Sequence, residues 1–163
     1  LLFFLADNHH ETPFEKSILD FQITGDLASH IHSLKHRISS INSASQRYKE
    51  FIEDKYYLPE EWKNIICNQD IFYGNSIFAQ KGYSWYRILD DYSKLGFKLY
   101  HAAIVDIGAT LKNRKRAKES ARYFLGYNTQ LNYDWQMNFR SFVNIQQLRN
   151  SHHAQEEIHY IAN

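Results

Sequence analysis

The sequence contains few of the residues that form disulfides, linkers or flexible tails. Its 163 residues include one cysteine (Cys67), two prolines and six glycines. A single cysteine excludes a disulfide within the chain and a cysteine-based zinc cluster. So few prolines and glycines leave little room for linkers or low-complexity stretches. The lone cysteine is typical of a cytoplasmic protein, and the length favours a single domain.

Net charge and long apolar runs are also lacking. Nineteen Lys and Arg residues against eighteen Asp and Glu leave a formal net charge of +1, so nucleic-acid binding is not expected. The basic stretch 112–118 is interpreted as a solvated helix start. The longest apolar run, Leu1–Ala6, is too short to cross a membrane and is typical of the end of a buried helix. Because the chain begins inside this run, with Leu rather than Met, we expect a piece of a longer protein.

Hydrophobic spacing in the first part of the chain predicts short elements. The stretch 12–15 reads as a helix start, with Thr12 as the cap and Glu15 closing a capping box. Alternating apolar and polar residues over 19–26 predict a strand. Asp26 is then in position to cap a helix. The apolar face of that helix is formed by Leu27, Ile31 and Leu34.

The rest of the chain predicts longer elements, although 60–82 shows no clear pattern. A long helix begins at Trp85, and a second helix over 117–125 stops at Gly126. The strongest strand pattern follows, with Leu131, Tyr133, Trp135, Met137 and Phe139 on one side. Helical spacing then resumes after 140. The apolar face of the long helix is formed by Ile88, Tyr92, Leu95, Leu99 and Ala103. This mixture predicts an α+β fold.

Two polar clusters could bind a ligand. The first is Lys35–Arg37 with the hydroxyls and Arg47 that follow, because phosphate needs positive charge and directed donors. A solvated basic turn would also account for this cluster. The second cluster places amides and guanidinium groups on one helix face, which could hydrogen-bond a planar heterocycle. An ordinary amphipathic helix would also account for it. Its members are Asn138, Arg140, Asn144, Gln147 and Arg149.

Metal and cysteine chemistry receive little support. Nine histidines are present, but adjacent pairs point apart, and only His32 and His36 have a spacing at which they could share a metal. No metal site is predicted. Cys67 has no neighbouring acid or histidine that would activate it as a nucleophile, so it is interpreted as a plain half-buried thiol.

The order of these motifs resembles the flavin-dependent thymidylate synthases (ThyX). That family carries Arg-His-Arg, seven variable residues and Ser, with Arg-Tyr shortly after, and a second conserved block near the C-terminus. Segments similar to the first motif are His10–Glu15, Lys35–Ser40, Ser45–Tyr48 and Tyr57–Pro59. Segments similar to the second are Asn138–Ser141, Asn144, Leu148–Arg149 and His153–Gln155, with Ala121–Arg122 and Leu125 between the motifs. The resemblance covers most of the chain and is weak over 60–117.

The resemblance implies the reductive methylation of dUMP to dTMP, with FAD as cofactor and NADPH and 5,10-methylenetetrahydrofolate as co-substrates. The flavin would supply the redox chemistry, and no enzyme cysteine would attack the base. Arg149 would be catalytic, favouring ionisation of the uracil N3. Flavin contacts would come from Thr12, Lys35, His36, Arg37, Ser43, Asn138, Phe139, Arg140 and Asn144. Nucleotide contacts would come from His32, Ser33, Leu34, Lys35, Ser43, Ala44, Ser45, Gln46, Arg47, Arg122 and Arg149.

The resemblance also implies a homotetramer of α+β subunits with shared active sites. One domain over 1–163 is expected, lacking the N-terminal strand and helix and the C-terminal helix of complete members. Three positions depart from the family pattern: Lys35 replaces an Arg, Ser43 a frequent Glu and His32 a frequent Gln. Two alternatives therefore stay open. One is a relative acting on another pyrimidine nucleotide such as UMP, and the other is a non-catalytic nucleotide- or RNA-binding protein.

Overall fold

A computed structural model describes residues 1–45 and 48–162. The chain divides into two compact units, the first formed by Leu1–Ala44 and Leu131–Asn163 and the second by Ser45–Gln130. Helices and antiparallel strands are mixed in the chain, as the predicted α+β class requires. Among the described residues, none of the helices combines the length and the hydropathy that crossing a membrane requires.

The first unit is a three-stranded sheet with helices packed on it. Its elements are α1 (Leu2–Asp7), a 3₁₀ helix (Thr12–Lys16), β1 (Leu19–Asp26), α2 (Leu27–Ser33), β2 (Ser40–Ser43), β5 (Gln130–Met137), α5 (Phe139–Arg149) and α6 (Glu156–Ala162). The strand order is β1-β5-β2, and β2 runs antiparallel to β5 with Ser40 opposite Gln136. Tyr133, Trp135 and Met137 of β5 are buried and form a core with Ile145. The strongest predicted strand is therefore confirmed, although Phe139 already belongs to α5.

Helix α2 has the predicted cap but buries a different face. The carboxylate of Asp26 accepts a hydrogen bond from the Ser29 backbone N–H at 2.9 Å, which confirms the cap. The predicted apolar face is wrong, because Ser29 and Ser33 are fully buried while Leu34 is 52% exposed. Burial of these serines is possible because their hydroxyls donate to the Asp26 carboxylate and to the Ser29 carbonyl, at 2.6 and 2.9 Å.

The predicted helix start at Thr12 is also corrected. The stretch forms a 3₁₀ helix whose N-cap position is Glu11, and no side chain caps it. Glu15 does not close a capping box, because its carboxylate pairs with Arg140 instead. The preceding α1 is helical as predicted but not buried, since Phe3 is 87% exposed.

The second unit is built on a long helix. Its elements are a 3₁₀ helix (Glu60–Asn64), the hairpin β3 (Ile71–Tyr73) and β4 (Ser76–Ala79), α3 (Trp85–Leu111), α4 (Arg114–Ala121) and a 3₁₀ helix (Arg122–Phe124). The predicted long helix is confirmed, but its buried face is shifted. Phe97, Tyr100 and Ile104 form a core with Ala121, whereas Tyr92 and Leu99 are 44% and 42% exposed.

Cys67 belongs to a small separate core in the second unit. Its side chain is 1% exposed and packs with Ala79 and Ile88. The thiol donates to the Gln69 carbonyl at 3.1 Å. The thiol is therefore fully buried rather than half-buried as predicted, and its position in a core is typical of an unreactive cysteine.

Candidate functional site

A cleft of about 980 Å³ opens in the first unit and brings together most of the predicted flavin contacts and the predicted catalytic Arg149. Its volume lies in the range of small-molecule and cofactor sites, which is roughly 300–1,000 Å³. Four segments form its walls: the end of α1 with His9, the 3₁₀ helix Thr12–Lys16 with the residue before it, the turn after α2, and α5. The predicted residues that line it are Lys35, His36, Arg37, Asn138, Phe139, Arg140, Asn144 and Arg149.

Helix α5 presents the second predicted cluster to the cleft because of its cap and its spacing. The amide oxygen of Asn138 accepts from the Ser141 backbone N–H at 2.8 Å and so fixes where the helix begins. Arg140, Asn144 and Gln147 follow at intervals of four and three and all line the cleft, as their spacing predicts. The positive end of the helix dipole therefore lies beside Arg140 and favours an anionic group there.

Arg140 is held by two carboxylates. Its Nε lies 2.7 Å from an oxygen of Glu11, and its Nη1 donates to Glu15. The three side chains remain 49%, 48% and 39% exposed, so the pairs are screened by water. The guanidinium is thus ordered at the N-terminus of α5 and stays accessible to a ligand.

Arg149, the predicted catalytic residue, donates from Nε to Nε2 of His36 at 2.9 Å. A nitrogen that accepts a hydrogen bond carries no proton, so the proton of neutral His36 is assigned to Nδ1. Burial lowers the pKa of His36 below its ordinary value of 6.5, and the charges of Arg149 and His32 lower it further. Burial and Arg149 lower the pKa of His32 in the same way. The lowered pKa values favour the neutral form of both imidazoles.

The other predicted residues of the first unit do not line the cleft. Ser33 is fully buried and its hydroxyl donates to a backbone carbonyl, so its side chain is unavailable to a ligand. Thr12 lies in the 3₁₀ helix and Ser43 in β2. Leu34 and Ala44 are exposed, and His32 is half-buried.

Two predicted nucleotide contacts belong to the second unit, and two lie outside the described residues. Ser45 is exposed, and its carbonyl accepts from the Tyr48 and Lys49 backbone N–H groups at 3.0 and 2.9 Å. Arg122 begins the 3₁₀ helix that follows α4. Gln46 and Arg47 lie outside the described residues. The assignment of all four to dUMP stays a prediction.

Sequence reasoning missed three residues of this site. The sequence assigns Glu11 no role and assigns Glu15 to a helix cap. In the structure, Glu15 pairs with Arg140, which lies 125 positions away in the sequence. His159 of α6 donates from Nδ1 to the Arg149 carbonyl at 3.1 Å. No local spacing reveals pairs so distant in sequence, and only the presence of Glu11 and Glu15 in a quoted motif segment gave a signal.

The chain matches, over residues 1–163, the family model described as thymidylate synthase complementing protein. It belongs to this family. Flavin-dependent thymidylate synthases of Thermosipho africanus, Thermosipho melanesiensis and Kosmotoga olearia are 30%, 31% and 31% identical to it. The alignments cover 99% of this chain and 67%, 67% and 66% of those proteins. The predicted family and α+β class are confirmed, and the chain spans about two thirds of the length of these relatives.

The cleft fits the cofactor that this family's relatives are named for. Lys35 and Arg37 line the cleft and supply positive charge for a diphosphate, and Arg140, which is paired with Glu11 and Glu15, lies at the positive end of α5. Asn144 offers an amide that can donate to and accept from a ring edge, and Phe139, 40% exposed, offers an apolar surface for a planar ring system. FAD combines such a diphosphate with such a ring.

Among the described residues, no three or more His, Cys, Asp or Glu side chains are grouped to hold a metal.

Proposed function

We propose that this chain catalyses the reductive methylation of dUMP to dTMP as a flavin-dependent thymidylate synthase, with NADPH and 5,10-methylenetetrahydrofolate as co-substrates. The observation that carries the proposal is the cleft that joins an ordered Arg149 to the cationic start of α5. Family membership supports the same activity. The chain would act as a transferase in the cytoplasm, and as a homotetramer with shared sites.

FAD would be held by the residues that line the cleft, with Thr12 and Ser43 as further predicted contacts. When bound, it would supply the redox chemistry, and the protein would bind and orient the reactants. The cations and the helix dipole would bind its phosphates, while Phe139 would cover part of a ring face. The residues that line the cleft and are assigned this role are Lys35, His36, Arg37, Asn138, Phe139, Arg140 and Asn144.

Arg149 would stabilise the charge that develops on the uracil ring. Its Nε is already used by His36, which leaves the donors on both terminal nitrogens for a uracil carbonyl oxygen and N3. A fixed cation in a partly dehydrated cleft favours the ionised ring over the neutral one. Loss of one such donor typically lowers kcat by about 100- to 1,000-fold.

The proposal is tested with purified protein in two steps. The first step records the visible absorption spectrum and identifies any chromophore released by heat, for which we expect FAD in near-stoichiometric amount. The second step measures dUMP-dependent NADPH oxidation and dTMP formation. Arg149→Ala should retain flavin and lose turnover by about 100-fold or more. Arg87→Ala, which removes a side chain 58% exposed in the second unit, is the matched control. Full turnover in Arg149→Ala would exclude the assigned role.

A second candidate substrate is favoured by the residues that depart from the family pattern. Lys35 lines the cleft with an ammonium group where the family usually has the two-pronged guanidinium of an arginine. His32, where the family often has Gln, lowers the pKa of His36. A relative acting on UMP would fit such changes. A panel of dUMP, UMP and dCMP distinguishes the two, because a strong preference for dUMP would dismiss the second candidate.

A further inference from the structure

Arg149 is held at both of its ends by histidines from different elements. Its carbonyl, at the end of α5, accepts from Nδ1 of His159 on α6 at 3.1 Å. Its side chain donates from Nε to His36 in the turn after α2 at 2.9 Å. Because the main chain is fixed by the helix and by His159, the side-chain torsions are the freedom that remains. The bond to His36 removes that freedom.

We infer that His36 is a positioning residue, which aims the terminal nitrogens of Arg149 at the nucleotide by accepting the hydrogen bond from its Nε. This role rests on the proposed function and deepens it. It requires an acceptor at the position of Nε2 and therefore a neutral imidazole. Protonated His36 would have no lone pair to offer at Nε2 and would repel the guanidinium.

The surroundings of His36 favour the neutral form. The charged group that contacts it is Arg149 from α5, and Lys35 and Arg37, its neighbours in the chain, line the same cleft. His32 of α2 also contributes to its electrostatics, and the ring of Trp135 from β5 lies 5.8 Å from its own. The carboxylates that line the same cleft, Glu11 and Glu15, are paired with Arg140.

The pH dependence follows from this environment. The pKa of His36 is lowered from its ordinary value, so the bond to Arg149 persists at pH values where a free histidine is already charged, and is lost as pH falls through the lowered pKa. Binding of dUMP and turnover should therefore decline on the acid side. A merely structural histidine would give no such decline tied to the acceptor at Nε2.

Two substitutions separate the acceptor from the ring. In His36→Gln, the amide oxygen can occupy the position of Nε2, whereas in His36→Asn it reaches only as far as Nδ1. With each variant saturated with FAD and its flavin content measured, we expect His36→Asn to lose on the order of 100-fold in kcat, as misplaced catalytic groups do. His36→Gln should recover most of that loss and lack the acid decline.

A direct measurement does not depend on activity. In protein labelled with ¹⁵N-histidine, NMR should report Nε2 of His36 as unprotonated and Nδ1 as protonated. Arg149→Gln should raise the pKa of His36 towards 6.5, because the neighbouring charge is removed. The inference would be overturned if the pKa of His36 were the same in Arg149→Gln as in the unmodified protein. Equal kcat values in the His36→Asn and His36→Gln variants would also overturn it. If the unmodified protein makes no dTMP, the proposed function fails, while the NMR result still decides whether His36 accepts the hydrogen bond from Arg149.

Discussion

The two units use their polar groups in opposite ways. In the second unit, hydrogen bonds complete the packing: the Tyr56 hydroxyl donates to Asp90 at 2.6 Å, and burial, followed by that carboxylate, raises the pKa of Tyr56 to about 12. In the first unit, Arg140 and Arg149 are ordered by partners but stay accessible in a cleft. Each guanidinium is ordered by its partners but keeps N–H donors that can bind a ligand. A binding site needs such donors, whereas a core needs all of its polar groups paired.

The largest expected effect comes from a substitution that creates a cavity in the aromatic core of the second unit. Phe97 is 1% exposed and packs against Tyr100, with ring centroids 6.4 Å apart. Phe97→Ala should lower the free energy of unfolding by about 3–5 kcal/mol, measured by urea denaturation. Leu99→Ala, on the same helix at 42% exposure, should cost much less. Equal losses would mean that Leu99 is packed as tightly as Phe97 and would contradict the shifted face.

A pair of glycines on α3 gives the next largest effect. A Cβ on Gly96 would lie 2.7 Å from the Phe124 backbone carbonyl oxygen, whereas one on Gly108 would meet only Ala117 and Arg114 at 3.6 Å. Gly96→Ala should therefore cost about 1–3 kcal/mol as an overpacking change. Gly108→Ala should be neutral or stabilise by up to about 1 kcal/mol, because alanine favours the helix. Thermal unfolding of both variants checks the opposite signs, and a stable Gly96→Ala protein would contradict the close approach.

Local patterns predicted the elements better than the faces they bury. The alternation in β5, the Asp26 cap and the start of α3 depend on neighbouring residues, and all three are confirmed. The buried faces of α2 and α3 depend on partners distant in sequence. In α2, two serines could be buried because their hydroxyls find acceptors within the helix and its cap, which hydrophobicity alone does not indicate.

The site shows the same division. The spacing of Arg140 and Asn144 on one helix face could be predicted, and so could the assembly of the two motifs once the resemblance was recognised. The carboxylates on Arg140 and the histidines on Arg149 could not, because each bond joins segments that only the fold brings together. Recognition of motifs therefore located the ligand-facing groups and left their supporting partners unassigned.

The smallest expected effect tests whether the open ion pairs of the first unit hold Arg140 ready or compete with its ligand. Replacing Glu11 and Glu15 together by Gln removes two negative charges from the cleft and frees the guanidinium for phosphate. Because two exposed pairs contribute about 0.2–1 kcal/mol each, FAD should bind roughly two- to thirtyfold more tightly at low salt. Flavin fluorescence titration at two salt concentrations measures this, with Glu156→Gln on α6 as the control. Since added salt screens the gained attraction, the difference should shrink at high salt. Weaker binding in the double variant would instead show that the carboxylates are needed to orient Arg140 for its ligand. The polar groups of the first unit would then serve to order the structure, as those of the second unit do.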